Sequence, residues 1–89
     1  MRNLVRTLRA CASIQRLRII KLLSQKRNLA IGDISESLNL TYKNTAKHLT
    51  RLLDVGIVDK ESYNGKTRYF LTKDKFGITS ILLKNISKL

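Results

Sequence analysis

The sequence predicts a mainly α-helical fold that carries one small β-hairpin. Apolar residues recur at helical spacing through most of the 89 residues. The dipeptide Asn64-Gly65, a strong tight-turn signal, stands between two short runs of strand-forming residues. No proline, no linker rich in glycine and serine and no internal repeat interrupts the chain. We therefore predict a single domain over residues 1–89.

The predicted elements follow one another in the order α-α-(β)-α-α-β-β-α. Ser13 and Thr41 are suited to cap helix N-termini. Asn39 and Gly56 suit the left-handed backbone that ends a helix, and Thr72 is expected to cap the last helix. The predicted segments are a helix over 3–11, a helix from 14 to about 24, a very short strand over 29–31, helices over 33–38 and 42–54, strands over 57–62 and 67–71, and a helix over 73–88.

The third and fourth predicted helices and the hairpin together have the arrangement of a winged helix-turn-helix. Two helices are joined by a short turn, and the second ends at a glycine and leads into the hairpin. We assign the helix-turn-helix to about 32–54 and the wing to about 57–71. In the second of these helices, Thr45, Leu49 and Leu52 share one stripe and are expected to face the core.

Charge favours nucleic acid as the partner of this domain. Lys and Arg number 18 against 6 Asp and Glu, which gives a formal net charge of +12. A polyanion would relieve the resulting self-repulsion; a generally basic proteome is the alternative explanation of the composition, and the less favoured one. No acidic residue occurs from Thr41 to Leu53, and a helix fits the major groove of B-form DNA, which is about 12 Å wide. The polar surface predicted to meet DNA holds Tyr42, Lys43, Asn44, Ala46, Lys47, His48, Thr50 and Arg51 on the helix, and Asn64, Lys66 and Arg68 on the wing.

Each of these residues also has an ordinary structural interpretation. The lysines and Arg51 could form a solvated helix face, and the hairpin tip could carry Lys66 for solubility alone. Tyr42 could contact a thymine methyl or a phosphate, or pack back on the preceding helix. His48 is expected to donate to phosphate or to cover the helix surface rather than to bind metal, because no partner ligands stand near it in the sequence.

Other functional classes find little support in the sequence. No constellation of nucleophile, base and acid is visible, so no enzyme activity and no cofactor are expected. The single cysteine, Cys11, cannot form an internal disulfide or, with one histidine, a zinc site, and we expect it to be a small buried residue. No apolar run approaches the roughly 18 residues that span a bilayer. The basic first helix leaves a membrane-surface role as a weaker alternative.

The sequence resembles the winged helix-turn-helix transcription regulators of the ArsR type. The resemblance is carried by QRLRIIKLL, by LAIGDISESLNLTYKNTAKHLTRLLDVGIV and by YNGKTRYFLT, over about Ser13 to Thr72. It implies a sequence-specific DNA-binding regulator, usually a homodimer, in which the positions matching Thr41, Tyr42, Lys43, Asn44, Ala46 and Lys47 face DNA. It implies no metal sensing here, because IGDISE lacks the cysteine motif of the metal sensors and residues 75–89 contain no Asp, Glu or His.

Both terminal helices show more apolar surface than one small core can cover, which predicts a dimer interface. The alternative is that these helices pack only on their own subunit. The predicted interface residues are Leu4, Val5, Leu8, Phe76, Leu82, Leu83 and Ile86.

The favoured hypothesis is a homodimeric regulator of transcription, most simply a repressor, that binds double-stranded DNA and needs no metal or membrane. Its expected setting is cytoplasmic and nucleoid-associated, in a prokaryotic cell or one infected by a prokaryotic virus. The alternatives are a winged-helix protein-interaction module and a binder of RNA or of DNA that is not in the B form.

Overall fold

A computed structural model of the chain describes residues 2–73 and 77–86, with the backbone alone at residue 2. Within these residues the order of elements is the predicted one, and the fold class is confirmed as mainly helical with a small sheet. The elements are α1 (Arg2–Cys11), α2 (Ile14–Lys26), β1 (Asn28–Leu29), α3 (Ile31–Leu38), α4 (Tyr42–Asp54), β2 (Val58–Tyr63), β3 (Lys66–Leu71) and α5 (Ile78–Asn85).

The turn between α3 and α4 is built by local side-chain and backbone chemistry. Asn39 follows α3 in the left-handed conformation, with φ 56° and ψ 45°. The backbone N–H of Leu40 donates to the carbonyl of Ser35 at 2.9 Å, which closes the end of α3. Thr41 then begins α4, because its hydroxyl accepts the N–H of Asn44 at 3.1 Å. These caps confirm the predicted helix-turn-helix.

Gly56 ends α4 as predicted. Its φ of 76° lies in the left-handed region that favours glycine. The N–H of Gly56 donates to Leu53, and the N–H of Ile57 donates to Leu52, both at 3.1 Å. This pair of hydrogen bonds is the Schellman arrangement, and it turns the chain directly from α4 into the wing.

The hairpin also follows the predicted turn chemistry. Asn64 and Gly65 have φ values of 52° and 75°, the positive pair that a two-residue primed turn requires. The turn places Tyr63 opposite Lys66 in an antiparallel register. Strand β3 lies in the centre of the sheet, in the order β1-β3-β2, so the short β1 ties the wing back to the helices.

The start of the last helix was predicted wrongly. Within residues 77–86 the helix begins at Ile78, with Gly77 before it in the left-handed conformation. Thr72 does not cap it, because its N–H donates to the carbonyl of Ile57 at 3.0 Å and its hydroxyl donates toward the carbonyls of Gly56 and Ile57. Thr72 thus continues the pairing of the hairpin. The predicted helical residues 74–76, 87 and 88 lie outside the described part of the chain.

The boundaries of the first four elements differ only slightly from those predicted. Helix α2 runs on to Lys26, β1 starts one residue earlier and ends two residues earlier than predicted, and α3 already begins at Ile31. Ala30 precedes α3 with extended backbone and without a side-chain cap, so the sequence carried no signal for that start.

The core lies where α2 meets α3, α4 and the base of the wing. Its largest fully buried side chains are Ile19, Ile20, Leu23, Ile34, Thr45, Leu49, Leu52, Ile57 and Val58. Burying an aliphatic side chain of this size contributes about 1.5–3 kcal/mol. Cys11 belongs to the same cluster and is 3% exposed, in agreement with its predicted structural role.

Candidate nucleic-acid interface

Helix α4 separates its apolar and polar residues onto opposite sides. Thr45, Leu49 and Leu52 are buried, and the hydroxyl of Thr45 donates to the carbonyl of Thr41 at 2.9 Å rather than entering the core unpaired. The outer side carries the predicted DNA-facing residues of α4. Ala46 and His48 among them are half-buried, and the exposed ones are Tyr42, Lys43, Asn44, Lys47, Thr50 and Arg51. The structure therefore places all these α4 residues on the side of the helix that faces away from the core.

The N-terminal end of α4 is open to solvent. Tyr42 is 62% exposed, so most of its side chain is accessible to a partner. The hydroxyl of Thr41 accepts the N–H of Asn44, which leaves its own proton free to donate outward. Thr50, farther along, donates its proton to the carbonyl of Ala46 at 2.9 Å and can only accept from a ligand.

Arg16 joins this surface from α2, although helical spacing along α2 did not predict it. Its Nη1 lies 3.2 Å from Nδ1 of His48, and its Nε donates to the carbonyl of Ala10 at the end of α1. One guanidinium thus ties α1, α2 and α4 together. The cap Ser13 fixes where α2 begins, but only the packing of α2 against α4 shows that the first turn of α2 faces His48.

The contact with Arg16 determines how His48 can act. A guanidinium can only donate, so Nδ1 of His48 must accept and the imidazole must be neutral, with its proton on Nε2. Burial lowers the pKa of His48 below its ordinary value of 6.5, and the charge of Arg16 lowers it further. The remaining Nε2–H is a donor suited to a phosphate oxygen, whereas a metal would compete with Arg16 for Nδ1.

Together these side chains form a shallow concave surface along α4, which we call the α4 surface. Its lining residues are Arg16, Lys43, Ala46, Lys47, His48, Thr50 and Arg51. Four of them are permanent cations and none is acidic, so their fields add. Such a surface attracts a linear polyanion more strongly than it attracts any small neutral ligand.

The wing carries one cation, Lys66, beside its tip, and Arg68 farther along β3. Asn64 and Lys66 are exposed at and beside the tight turn. Arg68 instead lies opposite Glu61 in the sheet, and its Nη1 donates to Oδ1 of Asn28 at 3.4 Å. The guanidinium of Arg68 therefore lies over the outer face of the sheet, toward β1.

The predicted interface residues divide into two groups. Val5 and Leu8 on α1 are 39% and 49% exposed, although both are apolar. Leu4, Leu82 and Leu83 are partly buried against the core, Ile86 is only 7% exposed, and Phe76 lies outside the described residues. Two further exposed apolar residues, Ile14 at 66% and Ile81 at 59%, lie outside the predicted set, because helical spacing alone does not show which apolar stripe the subunit covers.

Within residues 2–73 and 77–86, no helix combines the length and the apolar character that crossing a membrane would require. The same residues contain no group of three or more His, Cys, Asp or Glu side chains arranged to hold a metal ion.

The sequence itself matches the family described as "Bacterial regulatory protein, arsR family" over residues 14–60, which is more than half of the chain. The chain belongs to the arsR family. The predicted resemblance is thereby confirmed, and membership in a family of regulatory proteins agrees with the expectation that the chain is not an enzyme. No curated protein matches the chain at a significant level of sequence similarity.

Solved structures of related proteins share this fold. HlyU from Vibrio cholerae is 25% identical, with a TM-score of 0.78, and the match covers 92% of this chain and 89% of HlyU. The transcriptional repressor PagR of Bacillus anthracis is 21% identical, with a TM-score of 0.80 and 91% and 93% covered. The homodimeric winged helix-turn-helix DNA-binding domain of a possible ArsR-family regulator from Mycobacterium bovis is 20% identical, with a TM-score of 0.78 and 90% and 71% covered.

Proposed function

We propose that this arsR-family protein is a homodimeric repressor that binds a specific double-stranded DNA site. The observation that carries the proposal is the α4 surface, where Lys43, Lys47 and Arg51 from α4 and Arg16 from α2 share a lining that contains no acidic residue. A helix with this charge fits the major groove, where Asn44 and Lys47 can reach base edges and the flanking cations can meet phosphates.

The homodimer is supported by the exposed apolar side chains of α1 and α5. Val5, Leu8 and Ile81 would lose contact with water in a dimer. The Mycobacterium bovis relative is described as homodimeric and PagR as a repressor, and both properties are extended to this chain as part of the proposal. Two-fold symmetry would separate two copies of α4 by about one DNA turn, roughly 34 Å, so the bound site should be a pseudo-palindrome. Cytoplasmic location and association with the nucleoid follow from this function.

The alternatives receive less support from the same surface. A protein-interaction module would present an apolar recognition helix, whereas the outer side of α4 carries Lys43, Lys47 and Arg51. RNA and DNA that is not in the B form remain partners that the same cations could attract, so they are included as competitors in the experiment.

The test is a salt titration of duplex binding, followed by single substitutions. With about 6–10 phosphates neutralised per dimer, the affinity should fall by about 10³–10⁵ between roughly 50 and 200 mM salt. A site selected from random duplexes serves as the specific ligand, and a scrambled duplex, an RNA hairpin and a left-handed duplex serve as competitors. A flat salt response, or tighter binding of the RNA or the left-handed duplex, would contradict the proposal.

Two variants then test the docking orientation. Lys47→Ala should weaken binding to the selected site by about 1–3 kcal/mol and reduce its advantage over the scrambled duplex. Lys66→Ala, at the wing, should weaken both duplexes about equally. Lys26→Ala at the far end of α2 is the matched control for loss of one charge and should bind nearly as the parent does. If Lys47→Ala behaves like this control, α4 does not read the bases.

A further inference from the structure

The first helix carries a cationic stripe that the α4 surface does not include. Thr7, Ala10 and Cys11 form the buried side of α1, and Val5 and Leu8 form its exposed apolar side. Arg6 and Arg9 are exposed and three residues apart, so they share a third face of the helix. The dimer proposed above uses the apolar side of α1 and leaves these two arginines without a role.

The position of this stripe beside α4 suggests what it does. Arg6 and Arg9 line a small groove together with Arg51, Asp54 and Val55 from the end of α4. Arg51 also lines the α4 surface. The shared residue makes the two surfaces continuous, so the cationic band runs from Lys43 along α4 and on to α1.

We infer that Arg6 and Arg9 bind phosphates of the DNA backbone beside the groove that α4 occupies, an inference that rests on the proposed function. Three guanidinium groups converge there and face a single carboxylate, that of Asp54, so the groove keeps a positive excess. Guanidinium groups bind phosphate oxygens through paired N–H donors. The segment from Lys43 to Arg51 is about 12 Å long, about the width of the DNA major groove. With this segment in the major groove, α1 would lie outside it, next to the DNA backbone. These contacts hold the protein in place and carry no sequence information.

The inferred role is tested by removing both charges while keeping the helix. Arg6→Gln with Arg9→Gln removes the charges but keeps polar side chains of similar helix propensity. Four phosphate contacts per dimer would be lost, so the slope of log K against log salt should become shallower by about 3–4. Affinity should fall by at least about tenfold at low salt, by the same factor for the selected and the scrambled duplex. The ratio of the two affinities should stay that of the parent.

A matched variant separates these contacts from general charge. Lys26→Gln with Lys84→Gln also removes two positive charges, but from exposed positions on α2 and α5. It should change the salt slope by less than about 1. Circular dichroism and sedimentation of both variants must match the parent in fold and association state, as expected for substitutions of exposed residues.

The outcomes distinguish this inference from the proposed function. If the parent binds duplexes with the expected salt response but the arginine variant matches the lysine variant, only the inference on α1 fails. If the parent shows no salt-dependent affinity for duplexes, both fail. A basic helix with apolar residues could instead contact an acidic membrane surface. Binding of phosphatidylserine vesicles that the arginine variant loses, with duplex binding unchanged, would overturn the inference in favour of a lipid surface.

Discussion

At the scale of single residues, the contact between Arg16 and His48 connects the scaffold to the candidate interface. The guanidinium holds the histidine neutral and fixes its tautomer, as the 3.2 Å separation between Nη1 and Nδ1 requires. The same side chain is bonded to the carbonyl of Ala10. A shift of α1 or α2 would therefore move the Arg16 guanidinium, and with it the His48 side chain in the middle of α4.

The lowered pKa of His48 predicts how stability should depend on pH. The unfolded chain takes up a proton on this histidine near pH 6.5, and the folded chain does so only at a lower pH. Between these two pKa values the unfolded state binds more protons, so the free energy of unfolding should fall as the pH falls. The stabilisation is fully present above the unfolded pKa and is lost on acidification through the folded pKa.

Urea unfolding of the parent and of His48→Gln, at about pH 7.5 and about pH 5.5, measures this contribution. Glutamine can still accept from Arg16 but does not titrate. The parent should lose more stability than the variant over this interval, while the carboxylates contribute alike to both. Equal losses would show that His48 takes up its proton as easily in the folded chain as in the unfolded one.

At the scale of elements, two left-handed residues set the geometry of the interface. Asn39 ends α3 and Gly56 ends α4, and each allows hydrogen bonds back to the last turn of its helix. The first fixes the turn that precedes α4, and the second directs the chain into the wing. Neither depends on distant contacts, which is why the helix-turn-helix could be recognised from local sequence.

The glycine at the end of α4 should be required for its backbone conformation alone. A Cβ added at Gly56 would meet nothing within 4 Å, but φ is 76°. We therefore expect Gly56→Ala to lower the free energy of unfolding by about 1–2 kcal/mol, which corresponds to a drop in Tm of roughly 4–16 °C for a domain of this size.

Gly32 provides the matched control for this substitution. It lies within α3, where an added Cβ also has open space and φ is not positive. Gly32→Ala should raise stability by about 0.4–1 kcal/mol, because alanine loses less entropy on entering a helix. Thermal unfolding of both variants would show opposite signs. Destabilisation by both would mean that contacts rather than backbone conformation decide the outcome.

At the scale of the whole molecule, the surface is divided between charge and apolar area. The α4 surface and the stripe of Arg6 and Arg9 carry cations, whereas Val5, Leu8 and Ile81 remain exposed and apolar. A formal net charge of +12 opposes association of two subunits. Burial of apolar area must outweigh that repulsion in the proposed dimer, and bound DNA would reduce it.

A charge placed on the apolar side of α1 should therefore separate the subunits. Leu8 is 49% exposed, so Leu8→Glu can be tolerated by the single subunit but would bury an unpaired carboxylate in a dimer. We expect a loss of at least about 2 kcal/mol in dimer stability, measured by sedimentation across protein concentration. Gln25→Glu at the exposed end of α2 adds the same charge and should leave association unchanged. A monomeric parent would refute the dimer directly.

The sequence by itself determined the elements, their order and the exposed polar side of α4. Caps, the Asn64-Gly65 turn and apolar periodicity are local signals, and each specifies the backbone within a few residues. The same signals predicted Tyr42 to Arg51 as one surface, because a helix assigns faces by spacing alone. Thr72 was the exception, since its hydrogen bonds to Ile57 depend on where the hairpin meets the end of α4.

Only the tertiary structure decided which residues from different elements meet. The pairing of Arg16 with His48 and the alignment of Arg6 and Arg9 with Arg51 join positions more than 30 residues apart. It also decided that Ile86 is buried while Ile81 is exposed. The periodicity of apolar residues along a helix shows which of them lie on the same face. Whether the stripe is covered by its own subunit depends on helix packing angles, which no local segment encodes.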